Sequence, residues 1–180
     1  MKLLSRTKSI FLIAICSISL FFIYNSLDRG PLYDFDPTRD TQDIVQLFNQ
    51  NYYWLVPFPD YSPQAMLKER SPKIGDPFWR NKQNIKVARK KNKFFGFIAY
   101  HIKTPTQGFI HFLVITQDAR NKGYGKLLLT YAINDLFAHG AQTIDLVTRT
   151  NNFPAQKLYT SVGFTETSRD AEYVYFSLAS

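Results

Sequence analysis

Apolar residues along the chain follow two different periods, which divide the sequence into predicted strands and helices. Short runs rich in β-branched and aromatic residues, bounded by turn residues, are typical of strands. Such runs occupy residues 32–35, 85–89, 94–102, 109–115, 143–148, 165–168 and 173–178. Apolar residues three and four positions apart predict helices. The helices are a first one capped by Asp40 or Thr41 and continuing to Tyr52, then residues 63–70, 124–138 and 154–161.

The order of these elements predicts the fold class. The strands before residue 116 follow one another through short turns, whereas the later strands alternate with helices. This order predicts a mixed, mostly antiparallel sheet with flanking helices, in the α/β (α+β) class. We expect a loop over residues 54–61 and irregular chain over residues 71–84. The basic run over residues 89–93 is predicted to be a solvated turn between two strands.

The N-terminal region has a pattern of its own. Residues 1–8 form a basic flank, and residues 9–27 carry no charged side chain. A span of that length and apolar character is typical of a transmembrane or signal-anchor helix. A cleaved signal peptide and a buried core helix are the alternatives. The predicted organisation is therefore a flank, a single-pass membrane anchor in the lipid bilayer, a linker over residues 28–32 and a folded domain over residues 33–180.

The charges around this span also predict its orientation. Three basic residues precede it, and acidic residues outnumber basic residues in the stretch that follows. Basic residues favour the cytoplasmic side, so the domain is expected on the outer side.

Charge and composition limit the classes of function. The formal net charge of +8 favours anionic partners such as phosphates, nucleic acid or anionic lipid. The basic residues are spread along the chain, so no nucleic-acid partner is expected. Cys16 is the only cysteine, and the three histidines lack the spacing of a metal site. No metal is implied.

The segment from Phe109 to Phe137 predicts an anion site. An apolar strand leads into Arg120-x-x-Gly123-x-Gly125 and then into a helix. Unpaired backbone N–H groups and the helix dipole favour an anion at such a helix start, and glycines allow close approach to the backbone. The spacing does not fit a nucleoside-triphosphate loop, and bulky Leu128 stands where a dinucleotide fingerprint needs a small residue.

A second motif follows after one more strand. It reads Asn152-x-x-Ala155-x-x-Leu158-Tyr159 and ends in Gly163-Phe164. The two motifs in this order resemble the GNAT superfamily of acetyl-CoA-dependent N-acetyltransferases. The resemblance covers residues 32–178. It implies a GNAT-like acyl-CoA N-acyltransferase fold in which the sheet is splayed between its fourth and fifth strands, with acetyl-CoA held in the gap.

The resemblance also implies site residues. The fourth strand would offer backbone groups to pantetheine, the glycine loop would bind the pyrophosphate, and a residue after the fifth strand would contact the cofactor near the gap. These cofactor-binding residues are Phe112, Leu113, Val114, Ile115, Arg120, Asn121, Lys122, Gly123, Tyr124, Gly125, Lys126 and Asn152. Tyr159 would act as the general acid that protonates the departing thiolate.

The catalytic base is less clear. Many members of the superfamily carry a glutamate at one of two positions that correspond here to Phe109 and Val147. His111 shares a strand face with Phe109 and titrates near neutrality in its unperturbed state, so it is a tentative base. A chain of water molecules to bulk solvent is the equal alternative.

The leading hypothesis is a membrane-anchored N-acetyltransferase that transfers acetyl from acetyl-CoA to a primary amine by direct attack in a ternary complex. The acceptor is a small molecule or a protein amine. A non-catalytic, membrane-tethered regulatory module that binds CoA is the alternative, and a basic binder of anionic lipid or nucleic acid is a third. One conflict stays open, because acetyl-CoA is cytosolic while the charges place the domain outside.

Overall fold

The computed structural model describes residues 32–56, 61–69 and 83–180, and these residues form seven strands, five α-helices and one 3-10 turn. The strands are β1 Leu32–Asp34, β2 Asn84–Lys90, β3 Lys93–Thr104, β4 Gln107–Ile115, β5 Thr143–Arg149, β6 Thr165–Arg169 and β7 Tyr173–Ala179. The helices are α1 Pro37–Gln50, α2 Tyr52–Leu55, α3 Pro63–Glu69, α4 Tyr124–Ala138 and α5 Phe153–Thr160, and the 3-10 turn is Gln117–Ala119.

All seven strands belong to one sheet in the order β1-β2-β3-β4-β5-β7-β6. Strands β1 to β4 pair antiparallel with their neighbours, as do β5 with β7 and β6 with β7. Only β4 and β5 pair in parallel, because α4 returns the chain across the sheet between them. The mixed, mostly antiparallel sheet with flanking helices confirms the predicted fold class.

Apolar residues cover both faces of the sheet. On one face, α1 and α3 bury Ile44, Phe48 and Met66 against β2 to β4. On the other face, α4 buries Leu128 and Leu129, with α5 packed beside it. Both faces therefore depend on helices whose apolar residues recur at helical spacing.

Helix α1 begins earlier than the sequence predicted. Asp36 is its N-cap, since its Oδ1 accepts hydrogen bonds from the backbone N–H of Thr38 at 2.8 Å and of Arg39 at 3.2 Å. Pro37 occupies the first helical position, where its missing N–H costs nothing. The prediction of a cap at Asp40 or Thr41 was wrong, because Asp40 lies inside the helix and is fully buried.

The basic run after β2 is only partly a solvated turn. Lys91 and Asn92 form the exposed tip, with φ of 53° at Lys91. Arg89, in contrast, is buried, and its Nε lies 2.7 Å from Asp40 Oδ1. A buried guanidinium needs such a partner, so Arg89 belongs to the core and the prediction for this residue was wrong.

Some sequence predictions fall in or near undescribed parts of the chain. Within the predicted loop over residues 54–61, Trp54 and Leu55 are helical, and residues 57–60 lie outside the described residues. The predicted anchor over residues 9–27 and most of the irregular segment over residues 71–84 lie outside them too. Among the helices that the structure describes, none is long and apolar enough to cross a membrane.

Candidate functional site

The sheet opens between β4 and β5. Their parallel pairing joins Gln107 to Thr143, Gly108 to Ile144 and Phe109 to Asp145, and it ends there. Both strands then continue toward their carboxyl ends without pairing to each other, β4 to Ile115 and β5 to Arg149. The splay that the sequence resemblance implied is thereby confirmed. Beyond Phe109, the edge of β4 faces a gap.

A β-bulge lies at the vertex of this gap. Ala99 of β3 is opposite Phe112, and the next residue, Tyr100, is opposite Ile110, so His111 has no opposite partner. The extra residue changes which side chains face which helices. Ile110 packs with the α4 side of the core, and Phe112 packs with the α1 side.

The side chains of β4 beyond the bulge are committed to the core. Phe112 and Val114 are buried beneath α1, and Leu113 and Ile115 are partly buried on the α4 side. Of the groups on this strand, the backbone along the open edge is what remains to contact a ligand. That arrangement fits an extended ligand bound as an additional strand would be.

The glycine loop joins β4 to α4 in a conformation that suits an anion. Asn121 and Gly123 both have left-handed backbone angles, with φ of 60° and 86°. The hydrogen bond from Leu127 N–H to Gly123 O, at 3.0 Å, is the first of the helix. The N–H groups of Gly125 and Lys126 precede it and therefore have no intrahelical acceptor. Such N–H groups and the helix dipole bind phosphate groups well.

Basic and polar side chains surround this helix start. Arg120, Asn121, Lys122 and Lys126 are all exposed. Arg120 also contacts the loop after α1, because its Nη2 donates to Asn51 Oδ1 at 3.0 Å. The predicted anion-binding residues are thus contiguous at the wide end of the gap.

Two residues of the loop have structural roles as well. The ring of Tyr124 is buried and stacks on Phe95, with ring centroids 4.5 Å apart. A Cβ at Gly125 would lie 3.3 Å from Leu158 Cδ2, so this glycine lets α4 and α5 pack closely. The Tyr124 ring therefore belongs to the core, and Gly125 is needed for helix packing.

The opposite wall of the gap consists of β5 and α5. Asn152 lies at the N-cap position of α5, and its Nδ2 donates to Oγ1 of buried Thr148 at 3.2 Å. Tyr159 is buried near the end of α5, where its ring packs against Phe164 and Phe176. Burial raises the pKa of the Tyr159 hydroxyl to about 12, so the group keeps its proton at neutral pH.

His111 is in an environment that keeps it neutral. Burial, with a smaller contribution from His101, lowers the pKa of His111 to about 4. Its Nδ1 lies 2.9 Å from Gln83 Nε2. A base works best when its pKa is near the working pH, so this environment makes His111 a weak proton acceptor.

Phe109, at one of the two positions where many members of the superfamily carry a glutamate, lies next to a lysine and opposite Asp145. The ammonium nitrogen of Lys103 lies 5.7 Å from the centroid of the Phe109 ring. Asp145, across the last paired position, accepts a hydrogen bond from Gln107 Nε2. In the described ranges, no group of three or more His, Cys, Asp or Glu is arranged to hold a metal ion.

Sequence reasoning missed residues that surround the gap. The guanidinium of Arg149 lies 4.1 Å from the ring centroid of Tyr53, and its Nη2 donates to Val56 O at 3.4 Å. These contacts of Arg149 connect α2 to the end of β5. Gln83 was missed as the partner of His111. Neither residue belongs to a local motif, because both contacts join segments far apart in sequence.

Comparison with curated proteins finds relatives that match parts of this sequence. A 45-residue stretch is 53% identical to the [Ribosomal protein bS18]-alanine N-acetyltransferase of Haemophilus ducreyi, covering 25% of this chain and 31% of that protein. Matched segments span only 26% to 46% of the curated relatives.

Solved structures show the same fold. A GCN5-related N-acetyltransferase from Kribbella flavida superposes with a TM-score of 0.71 at 17% identity, covering 85% of this chain and 99% of that one. A putative streptothricin acetyltransferase from Bacillus anthracis, solved in complex with acetyl coenzyme A, matches with a TM-score of 0.51. It is 24% identical and covers 59% of this chain and 65% of that one.

The family assignment rests on the family-model match. The model of the acetyltransferase (GNAT) family matches residues 41–164, which include most of α1, the open edge of β4, the glycine loop and α5. Family membership supports an acetyl-CoA-dependent acyltransferase. This chain belongs to the acetyltransferase (GNAT) family.

Proposed function

We propose that this protein is an N-acetyltransferase that transfers an acetyl group from acetyl-CoA to a primary amine in a ternary complex. The observation that carries the proposal is the open edge of β4, which runs directly into an anion-binding helix start. An extended chain that ends in a pyrophosphate matches both parts of this surface. Backbone groups of residues 112–115 would hold the pantetheine, and residues 120–126 would hold the pyrophosphate.

The reaction draws two contributions from the site. The amine nitrogen attacks the thioester carbonyl carbon and gives up a proton to water, the carbon–sulfur bond breaks, and the sulfur takes up a proton. A backbone N–H of β4 polarises the carbonyl, and Tyr159 supplies the proton to the sulfur. The raised pKa of Tyr159 supports this role, because the hydroxyl holds a proton to give at neutral pH.

The acceptor is a small molecule or a protein amine. Similarity to an enzyme named for acting on an alanine of ribosomal protein bS18 supports a protein amine. On the open face of β5 and β7, Val147 and Tyr175 are paired and exposed, and they offer an apolar surface for the residue that carries the amine.

We further propose that residues 9–27 anchor the enzyme in a membrane. The support is the uncharged, apolar sequence of that segment behind a basic flank. The flanking charges favour the outer side of the membrane for the domain. That expectation conflicts with the cytosolic supply of acetyl-CoA.

Cofactor binding tests the proposal through a matched pair of glycines. Gly123 and Gly140 both have left-handed φ, at 86° and 94°, and they lie at opposite ends of α4. Substitution by alanine strains both positions alike, but only Gly123 lies in the anion site. Titration of the full chain with acetyl-CoA should show saturable binding. Gly123→Ala should weaken it at least about tenfold, or about 1.4 kcal/mol. Gly140→Ala should leave it unchanged, and an absence of saturable binding would refute the proposal.

A second candidate function is non-catalytic binding of CoA, because no side chain among the described residues of the site is a strong catalytic base. The lowered pKa of His111 and the apolar Phe109 favour a CoA-binding module that acts through a partner without catalysis. Release of thiol from acetyl-CoA in the presence of mixed amines distinguishes the two. Release above the hydrolytic background excludes the module, and background release together with tight binding excludes the enzyme.

A further inference from the structure

Gln83 and His111 form a buried polar pair at the vertex of the gap. His111 is the bulged residue of β4 and lies two residues beyond Phe109, the last residue of β4 that pairs with β5. Gln83 directly precedes β2 and is only 4% exposed. Because Asn84 is opposite Tyr100, continuing the register by one residue places Gln83 opposite His101. His101 is in turn opposite Phe109. These side chains therefore share one face of the sheet.

The contact between Gln83 and His111 determines which ring nitrogen carries the proton. Gln83 Nε2 lies 2.9 Å from His111 Nδ1. An amide NH2 group only donates, and in a neutral imidazole one nitrogen donates while the other accepts. His111 Nδ1 is therefore the acceptor in this pair, and its Nε2 carries the hydrogen.

With the amide of Gln83 in the reverse orientation, His111 would carry its hydrogen on Nδ1 instead of Nε2. Gln83 Oε1 would then accept from Nδ1–H, and the Nε2 lone pair would be free to take a proton. Within the described part of the chain, Gln83 Oε1 is buried without a hydrogen-bond partner, as is His101 Nδ1. Reversal would bury an NH2 group in place of that oxygen. The tautomer therefore rests on the position of Gln83 Nε2, the donor atom, beside His111 Nδ1.

We propose that Gln83 is a positioning residue that holds His111 as the Nε2–H tautomer, so that His111 serves the site as a hydrogen-bond donor. The proton of the acceptor amine then leaves through water and not through His111. The tautomer itself depends only on the fold. The catalytic role of the tautomer rests on the proposed acetyltransferase function. A spectroscopic test of the tautomer needs no substrate, so it can succeed or fail independently of that function.

Nitrogen NMR of the full chain in detergent micelles, labelled with ¹⁵N-histidine, tests the tautomer without any substrate. At neutral pH, His111 should show a protonated Nε2 and an unprotonated Nδ1 that accepts a hydrogen bond. Gln83→Leu removes the donor at similar volume, so the Nδ1 resonance should move toward that of a nitrogen without a hydrogen bond. Exposed His139 serves as the internal control. A protonated Nδ1 in the wild type, or an Nδ1 resonance unaffected by Gln83→Leu, overturns the proposal.

Kinetics with two variants of His111 test its role in the reaction. His111→Gln keeps a side-chain donor but cannot act as a base, whereas His111→Ala removes both properties. We expect His111→Gln to retain kcat/KM within about threefold and His111→Ala to lose about 10- to 100-fold, the effect of one lost hydrogen bond. Equal losses of about 100-fold or more in both variants would identify His111 as a base and overturn the proposal.

Discussion

Tyr159 combines a buried ring with a hydroxyl that retains its proton. The side chain is 8% exposed and packs between Phe164 of the α5–β6 connection and Phe176 of β7. Burial alone raises its pKa to about 12. A residue with these properties is suited both to packing and to general acid catalysis, and removing only its oxygen distinguishes the two roles.

Tyr159→Phe should lower turnover far more than cofactor affinity. The ring keeps its apolar contacts, so the fold and the glycine loop stay intact, but the proton for the leaving sulfur is lost. We expect kcat to fall about 100-fold or more, with the acetyl-CoA Kd within about twofold of wild type. Thiol release and equilibrium titration measure the two quantities. Unchanged turnover would leave Tyr159 with a packing role only.

At the scale of elements, α2 bridges the wide end of the gap. Asn51, directly before α2, accepts a hydrogen bond from Arg120 of the glycine loop. At the other end, Arg149 of β5 donates to Tyr53 O and Val56 O and lies over the ring of Tyr53. The short helix is therefore held from both walls of the gap, and its position depends on these contacts.

Arg149→Met should raise the KM for the acceptor and leave the Kd for acetyl-CoA nearly unchanged. The substitution removes the charged hydrogen bonds from β5 to backbone carbonyls of residues 53 and 56, and it leaves the hydrogen bond from Arg120 to Asn51 in place. In two-substrate kinetics we expect the acceptor KM to rise about tenfold, while the acetyl-CoA Kd changes less than about twofold. Arg169→Met is the matched control, because Arg169 is exposed on β6 and pairs only with nearby Glu166 in the described contacts. Equal effects of both substitutions would contradict this role of Arg149.

A buried ion pair fastens α1 to the end of β2. Asp40 is fully buried and accepts from the Nε of both Arg39 and Arg89, at 2.8 and 2.7 Å. Burial raises the pKa of Asp40, but hydrogen bonds from Arg39, the Asp36 N–H and Arg89 outweigh it and leave the pKa below 3.8. The stability that this carboxylate contributes is therefore present above pH 3.8 and is lost as the pH falls through the lower folded pKa.

Arg89→Met should destabilise the fold strongly, since it removes the buried partner of Asp40. We expect the free energy of unfolding to fall by about 3 to 5 kcal/mol at pH 7. The control, Arg39→Met, alters a half-exposed partner and should cost no more than about 1 kcal/mol. Denaturant unfolding of both variants measures the difference. A loss for Arg89→Met no larger than that for Arg39→Met would show that the buried pair does not stabilise the fold.

At the scale of the whole molecule, the basic charge and the N-terminal segment bear on where the enzyme works. The net charge of +8 favours a negatively charged surface or ligand, and the glycine loop accounts for three of the exposed basic residues. Residues 9–27 carry no charge and follow a basic flank. Anchoring in a membrane would place the acetyltransferase domain close to acceptors at that surface.

If residues 9–27 are the proposed anchor, the full chain should sediment with membranes and resist extraction at alkaline pH, because an uncharged segment of this length is sufficient to cross a bilayer. Removal of residues 1–27 should release the domain into the soluble fraction. Protease protection of the C-terminus then determines its side, and the flanking charges predict the outer one. Full release of the intact chain at alkaline pH would exclude the anchor.

The sequence by itself determined the elements that rest on local preferences. The apolar period of α4 and its glycine start predicted residues 124–138, which the structure bears out, and the two motifs identified the family. Such features depend on residues within a few positions of one another, so their backbone angles and periodicity can be read along the chain.

Only the tertiary structure decided the features that join distant segments. Arg89 looked like part of a solvated turn until Asp40, 49 positions away, was seen to pair with it in the core. The bulge at His111, the partnership with Gln83 and the end of parallel pairing at Phe109 likewise depend on the register between strands. Strand register and buried ion pairs depend on which side chains can leave water together when the chain packs. The free energy of that packing depends on the whole molecule, so it cannot be predicted from a local pattern in the sequence.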